Sequence, residues 1–376
     1  MSAAGRSDAS APAESLAAAC RAADFVRLTA TADGDALAAL GQLGAALRAT
    51  GVPFHASIAR VPDTIATDTT APDADCTVAF GAESADVALT DGPLSATAYT
   101  AARELGVDPD PLLAMVGAVA AGFTPGGDAP FYGEAEPLVT RQPGVATPVA
   151  DPADGVAHTT LVHADVSGDP DAVRDALDAS SLSEASDDED DRRRLASLTA
   201  LWAAGDASER AAQRVERALH PHVGGPFHTL GGYADVLDAC ARTTPGLGVA
   251  LAIEAARTGE APAHADEALD AWREHGRAAH TGLRAAETAR HDGLFVVRTD
   301  DAPLATIARL AWGYRSPEPL VLAVDGEDAA LHGDGAADIA TQLGQTTPAK
   351  AVGRRARGYL AGIDADTAET EVRRSL

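Results

Sequence analysis

One lysine, Lys350, occurs in 376 residues. Arginine supplies every other basic side chain, and 29 Lys and Arg face 56 Asp and Glu, a formal net charge of -27. Cysteine is nearly as scarce. Cys20, Cys76 and Cys240 are far apart, form no CxxC pair and cannot all pair within the chain, which excludes a disulfide framework and a zinc cluster. They read as small buried hydrophobes in a reducing compartment. No apolar run reaches transmembrane length, so no membrane partner is expected. The N-terminus has Arg6 and Asp8 but no apolar h-region, which predicts no signal peptide and a cytoplasmic protein.

Several motifs are missing as well. Without GxxxxGK[ST] the chain is no P-loop NTPase, and without GxGxxG after the first strand it is no dinucleotide-binding fold. HExxH and GxSxG are also absent. His220 and His222 are the closest histidine pair; they flank Pro221 and suit a turn better than a metal.

What is present is ample apolar material. Hydrophobic residues make up 46%, enough for a core, so the acidity belongs to the surface of a folded protein rather than to disorder. Self-repulsion at this charge favours a salt-rich cytoplasm, because molar salt shortens the Debye length to about 3 Å. Lysine depletion with an Ala, Asp and Gly bias resembles halophilic archaeal composition. Acidity of that origin says little about the ligand, and a local arginine patch remains compatible with nucleic-acid binding.

Length suggests two domains, at about 100–200 residues each. Residues 1–23 read as a tail and a helix. FVRLTAT (Phe25–Thr31), an Asp/Gly turn at Asp33–Asp35 and a helix from Ala36 to Thr50 open a βαβ unit. Strands at Val52–Arg60, Cys76–Phe80 and Asp86–Leu89 follow, then helices at Ser95–Leu105 and Asp110–Ala121. This alternation predicts a mainly parallel sheet covered on both faces, over residues 24–150. Ligands gather at the carboxyl ends of such strands, here Thr31–Asp35, Pro62–Asp63, Gly81–Glu83 and Thr90–Pro93.

Residues 151–227 read as a connecting region, with a strand at Val156–Asp165 and helices at Asp169–Asp178, Arg192–Ala204 and Ser208–His220. Its acidic run Asp187–Asp191 before Arg192–Arg194 reads as a solvated linker entering a helix whose dipole the acids oppose. Residues 228–376 read as a second α/β unit. In it Tyr233–Arg242 is a helix, Pro245–Gly248 a turn, Asp266–Ala289 a long helix, and Gly293–Val297, Pro319–Val324 and Ala329–Leu331 strands.

One stretch is specific. Gly231–Arg242 (GGYADVLDACAR) followed by Pro245–Leu251 (PGLGVAL) resembles the DHH phosphoesterase family, and within it the archaeal RecJ-like proteins. The resemblance runs from about Asp24 to the C-terminus. It implies a two-domain α/β fold: a parallel-sheet N-terminal DHH-like domain and a smaller C-terminal DHHA1-like domain. It also implies an arginine near nucleic acid at Arg242.

Family members bind two Mn²⁺ or Mg²⁺ ions at their strand ends, and the metals activate a water against a phosphodiester. The matching residues here depart from the family pattern. HxDADG becomes Thr29, Ala30, Thr31, Ala32, Asp33 and Gly34. The second aspartate is met by Gly81, Ala82 and Glu83, the DHH triplet by Asp91, Gly92 and Pro93, and the fourth motif by Gly117–Gly122 (GAVAAG) without a carboxylate.

Asp33 and Asp91 are catalytic remnants, and Asp33, Asp35 and Asp91 the candidate metal ligands. They suffice for no cofactor or one weakly held Mn²⁺ or Mg²⁺. Asp33-Gly34-Asp35 reads equally as a helix N-cap. The family's backbone-contacting GGH motif corresponds to Ala351–Tyr359. There Arg354, Arg355 and Arg357, with Lys350 and Tyr359, suit phosphates and a stacked base, or else a solvated basic helix end.

The resemblance thus implies a catalytically inactive RecJ-like protein that binds single-stranded DNA or RNA, a replication or repair partner of the GINS type, or both. An active metal-dependent exonuclease and a purely structural subunit are the alternatives.

Overall fold

Buried and half-buried residues alternate along Val26–Thr31, which forms β1. With β2 (Phe54–Ala59), β3 (Cys76–Phe80) and β4 (Val87–Leu89) it builds a parallel sheet in the order β2-β1-β3-β4. The computed structural model describes residues 10–61, 73–124, 126, 129–182, 186, 188–204, 209–258 and 262–376. The expected Pro62–Asp63 turn, residues 1–9 of the tail and Asp187 lie outside them.

The chain divides into two compact units. The first comprises residues up to Thr140 with Gly224–Pro226 and Val236–Ala268; the second comprises Arg141–Val223, Phe227–Asp235 and Leu269–Leu376.

In the first unit, Val26, Leu28, Ala30, Cys76, Val78 and Phe80 meet residues of the helices Ser10–Ala22, Gly34–Thr50, Leu94–Glu104 and Pro245–Thr258 in one core. These described helices therefore gather on one face, not on both as expected. The residues between the core positions bear on it: Arg27, Thr29 and Thr77 are only half-buried, and burial of the other face is confined to Thr31 and Ala79 near the carboxyl ends of β1 and β3.

Pro245–Gly248 is not the expected turn but the first turn of helix Pro245–Thr258, with proline at the position where its missing N–H does no harm. This helix lies close against Gly34–Thr50, where a Cβ on Gly41 would come within 2.7 Å of Ala252.

The second unit holds a six-stranded sheet in the order β11-β12-β10-β9-β8-β7. After the two-residue strands β5 (Thr140–Arg141) and β6 (His222–Val223), its members are β7 (Glu287–His291), β8 (Leu294–Arg298), β9 (Leu320–Asp325), β10 (Asp328–Gly333), β11 (Lys350–Arg354) and β12 (Arg357–Ala361). Within this sheet β8 and β9 pair in parallel, through the crossover helix Leu304–Tyr314, and the other neighbours are antiparallel.

LFVV and LVLAV are apolar at successive positions because both faces are covered. Leu294, Val296 and Leu322 pack under helices Ala336–Thr346 and Ala365–Ser375, while Phe295, Val297 and Val321 pack with Leu283 and with Leu304, Ile307 and Leu310.

The expected strand at Val156–Asp165 is instead helix Pro152–His158 and a turn, since Asp151 caps it by accepting the Asp154 N–H at 2.7 Å. The long helix stops at Ala285, not Ala289, because Glu287–His291 pairs with β8. Among the described residues no helix is long and apolar enough to cross a membrane. The fold class expected from the sequence, a parallel-sheet N-terminal α/β unit followed by a C-terminal α/β unit, is the one observed.

Candidate functional site

In the first unit the chain leaves β1 toward β2 on one side while β3 lies on the other. The carboxyl ends of β1 and β3 therefore flank the switch point where α/β sheets bind ligands. The structure brings the first and second family motifs together there. Thr31 Oγ1 donates to Asp33 Oδ2 at 2.8 Å and to the Phe80 carbonyl at 3.3 Å.

Three carboxylates at this end, those of Asp33, Asp35 and Asp238, each serve a helix. Asp33 is the N-cap of Gly34–Thr50, its Oδ1 accepting the Ala36 N–H at 3.1 Å. Asp238 Oδ1 accepts the Gly34 N–H at 2.6 Å, and its Oδ2 pairs with Arg242 Nη1 at 2.9 Å. Asp35 is fully buried and accepts the Leu94 and Ser95 amides at 2.9 and 3.0 Å. It thereby caps the helix Leu94–Glu104, whose own N-cap residue, Pro93, has no side chain to do so.

Asp91 and Glu83 are exposed. Arg242 keeps only 8% of its side chain exposed, in the ion pair with Asp238. Among the described residues no group of three or more His, Cys, Asp or Glu is arranged to hold a metal. The donor set does not fit a two-metal centre, because coordination by Asp33 or Asp35 would compete with the helix amides that these carboxylates cap.

The second unit carries the basic cluster. It is a β-hairpin, not a helix end: Arg354 pairs with Arg357, and Arg355 takes a left-handed φ of 58° in the turn. Gly353 and Gly358 face each other in this hairpin, and a Cβ on either would collide with the Ala337 or Ala336 carbonyl. Their bareness lets the hairpin lie against the first turn of helix Ala336–Thr346 on that face, so Arg354 and Arg357, one position along, belong to the opposite face of the sheet.

Register places Arg354, Arg357 and His332 side by side on one sheet face, followed by Val352, Tyr359 and Ala330. Tyr359 is half-buried and donates to Asp328 Oδ2 at 2.7 Å, which fixes its ring. Lys350 is exposed at the start of the edge strand β11.

The same face continues into residues that sequence reasoning missed. Trp312 packs edge-on against His332 at 5.1 Å, and the Arg210 guanidinium lies 4.9 Å over the Trp312 ring. Arg210 also donates to the Ser316 and Glu318 carbonyls at 2.7 and 2.8 Å. Arg210, Arg214 and Arg217 share helix Glu209–Ala218 at i, i+4 and i+7. That spacing was visible in the sequence as a basic stripe. The neighbouring arginine run is spent differently, since Arg193 pairs with Glu189 and Asp190 and Arg194 with Asp191.

Two buried polar nodes stabilise this unit. Asp235 accepts the Trp272 indole N–H at 2.8 Å, the Thr160 N–H at 2.9 Å and the hydroxyls of Thr159 and Thr160. His163 and His280 stack with Nδ1 atoms 2.9 Å apart, and His280 Nε2 lies 3.1 Å from the Thr159 carbonyl. The carbonyl only accepts, so His280 carries its proton on Nε2 and the Nδ1 bond is donated by His163.

Known proteins resemble this chain at two depths, in sequence and in fold. A protein of Haloarcula marismortui, "Uncharacterized protein rrnAC1427", is 45% identical over 98% of both chains. The chain belongs to the rrnAC1427 family. The family profile described as "Uncharacterized protein rrnAC1427, C-terminal domain" matches residues 286–374, the part of the second unit that begins at β7.

Among solved structures, CDC45 from Entamoeba histolytica aligns with a TM-score of 0.56 at 9% identity, covering 97% of this chain and 98% of that one. At that identity the likeness of the rrnAC1427-family chain to CDC45 is one of fold. RecJ of Thermus thermophilus in complex with Mg²⁺ aligns with a TM-score of 0.49 at 14% identity. The alignment covers 98% of this chain and 52% of that one, so the chain spans about half the length of that RecJ. The haloarchaeal relative accords with the salt-adapted composition.

Proposed function

We propose that this protein binds single-stranded nucleic acid without cleaving it. The observation that carries the proposal is the hairpin that sets Arg354 and Arg357 beside His332 on one sheet face, with Arg355 in its turn, on a chain whose net charge is -27. Arginines there supply forked donors that match phosphate oxygens. A replication or repair partner of the GINS type belongs to the same proposal. It is supported by the family resemblance and by the CDC45-like fold.

Replacing Arg354, Arg355 and Arg357 together by alanine is expected to weaken single-strand binding and flatten its salt dependence. Each lost phosphate contact lowers the slope by about 0.7 for single strands, so the triple variant should lose about two. Fluorescence anisotropy across a KCl series that keeps the protein folded is the measurement. An unchanged slope would move the contact elsewhere.

The second reading, an active exonuclease using Asp33, Asp35 and Asp91, is favoured only by the surviving carboxylates. No cleavage of DNA or RNA single strands above background is expected with Mn²⁺ or Mg²⁺. The assay requires Asp33→Ala and Asp91→Ala beside the unaltered protein. Metal-dependent cleavage lost in either variant would establish a working centre and end the non-catalytic proposal.

A further inference from the structure

Arg210 is held as a plane rather than as a charge. Arg193 and Arg194, on the preceding helix, are in ion pairs with carboxylates. Arg210 has no ion pair among the described residues; its partners are two carbonyls and a ring. Nη1 donates to the Glu318 carbonyl at 2.8 Å and Nη2 to the Ser316 carbonyl at 2.7 Å. The loop that offers them is fixed by Ser316 Oγ, which donates to the Glu318 carbonyl and accepts the Glu318 N–H, both at 3.0 Å.

The guanidinium lies over the Trp312 ring, 4.9 Å from its centroid. The indole is pinned in turn. Its Nε1 donates to the Pro319 carbonyl at 2.8 Å, and Gly333 approaches so closely that a Cβ there would come within 2.6 Å of Nε1. Ordering a long side chain this fully costs rotamer entropy that a mobile surface charge would keep. Arg210 is half-buried. One guanidinium plane rests on the indole and the Nη edge meets carbonyls, so the plane turned away from Trp312 is what it offers to a ligand.

That plane stands at one end of a basic face. Trp312 meets His332, and Arg357 and Arg354 follow His332 on successive strands, about 5 Å apart. We infer that Arg210, backed by Trp312, is a stacking platform for a nucleobase, with the phosphates of the strand running toward Arg357 and Arg354. Guanidinium planes accept unstacked bases face to face, and every base has a π-face to offer. With Nη1 and Nη2 engaged by carbonyls, this arginine contributes a surface rather than a phosphate contact. The inference rests on the single-strand proposal and adds to it a part of the affinity that depends on bases and not on charge.

The test measures fluorescence anisotropy with the full chain in KCl that keeps it folded. Two probes are compared, a single-stranded oligothymidylate and a strand of the same length built of abasic tetrahydrofuran units. The unaltered protein is expected to bind the base-bearing strand about tenfold more tightly, the worth of about one stacked base. Arg210→Lys keeps the charge and removes the plane. It should bring the two strands close to equal affinity while leaving the salt slope as it is, whereas the triple arginine variant of the hairpin should lower the slope and keep the preference for bases. Thermal melting in the same salt checks that Arg210→Lys is folded, and the comparison of the two strands in the unaltered protein needs no variant.

Salt-dependent binding of both strands with equal affinity by the unaltered protein overturns the platform and leaves the single-strand proposal intact. A preference for bases that is as large in Arg210→Lys also overturns it, since the bases would then stack elsewhere. Binding of neither strand removes the single-strand proposal, and the platform with it.

Discussion

Replacing Asp235 by alanine is expected to cost about 3–5 kcal/mol of stability, the range for removing one partner of a buried charged network. Asp235 is 3% exposed, and the groups that reach its carboxylate are donors. Trp272, which is fully buried, points its indole N–H at Oδ2 from 2.8 Å, and Thr160 aims both its amide and its hydroxyl at the same carboxylate. Alanine would leave these donors in a space closed to water.

The loss would spread beyond the first contacts. The Thr160 hydroxyl, while donating to Asp235, accepts from Arg309 Nη2 at 2.5 Å, and Arg309 Nη1 holds the Thr160 carbonyl at 3.0 Å. Without Asp235 the hydroxyl has no reason to keep the orientation that receives Arg309. Asp235→Asn should lose less, since one oxygen remains to accept. Urea unfolding in molar KCl gives the comparison. A midpoint for the alanine variant equal to that of the unaltered protein would show that the network contributes nothing.

Acid should act through the second buried node. His163 is 6% exposed and His280 fully buried. Burial pushes both pKa values well below the ordinary 6.5. On His163 the charges of His280, Arg315 and Arg284 act in the same direction; on His280 the Thr159 carbonyl is the next influence after burial and acts upward, followed by Arg284, His158 and Arg309, which act downward.

The folded chain therefore takes up fewer protons at these two sites than the unfolded chain once the pH drops under 6.5. Stability falls as pH falls, and above 6.5 the pair contributes no pH dependence. Two protons correspond to about 2.7 kcal/mol per pH unit, so about 4 kcal/mol would be gone by about pH 5.

A variant with both histidines replaced by glutamine should be less stable near neutrality but show a flatter decline from about pH 6.5 to about pH 5. Denaturant midpoints at fixed salt across that range measure it. Parallel slopes in both proteins would place the acid sensitivity in other groups.

The sequence showed the βα order well because its signals were local. Gly/Asp punctuation after FVRLTAT and the apolar runs LFVV and LVLAV correspond closely to β1, β8 and β9. The errors came where a capping residue or a partner strand decided the outcome. Val156–Asp165 has strand composition, yet Asp151 and Pro152 start a helix there. Ala286–Ala289 continued the helical spacing, but β8 offered a ladder and took Glu287–His291.

The candidate site was legible to a similar depth. Arg354, Arg355 and Arg357 stood out as a run, whereas Trp312 reaches their face through His332 and Arg210 through its stacking on Trp312. That meeting spans about a hundred residues of sequence, and no local pattern encodes it. The roles of Asp35 and Asp238 were hidden for the same reason. Their partners are the amides of Leu94, Ser95 and Gly34, 59, 60 and 204 positions away.

The capping carboxylates at the ends of β1 and β3 bear on whether a metal enzyme is reachable from this chain by mutation. Histidines introduced at Thr29 and Thr31 would add imidazoles, but Thr31 is also the hydroxyl that orients Asp33. Asp35 would have to release two amides to turn toward an ion, leaving the helix Leu94–Glu104 uncapped. Each step toward chemistry is thus a step away from folding until several changes arrive together. Single substitutions, whether made in the laboratory or by drift, meet a ridge rather than a slope.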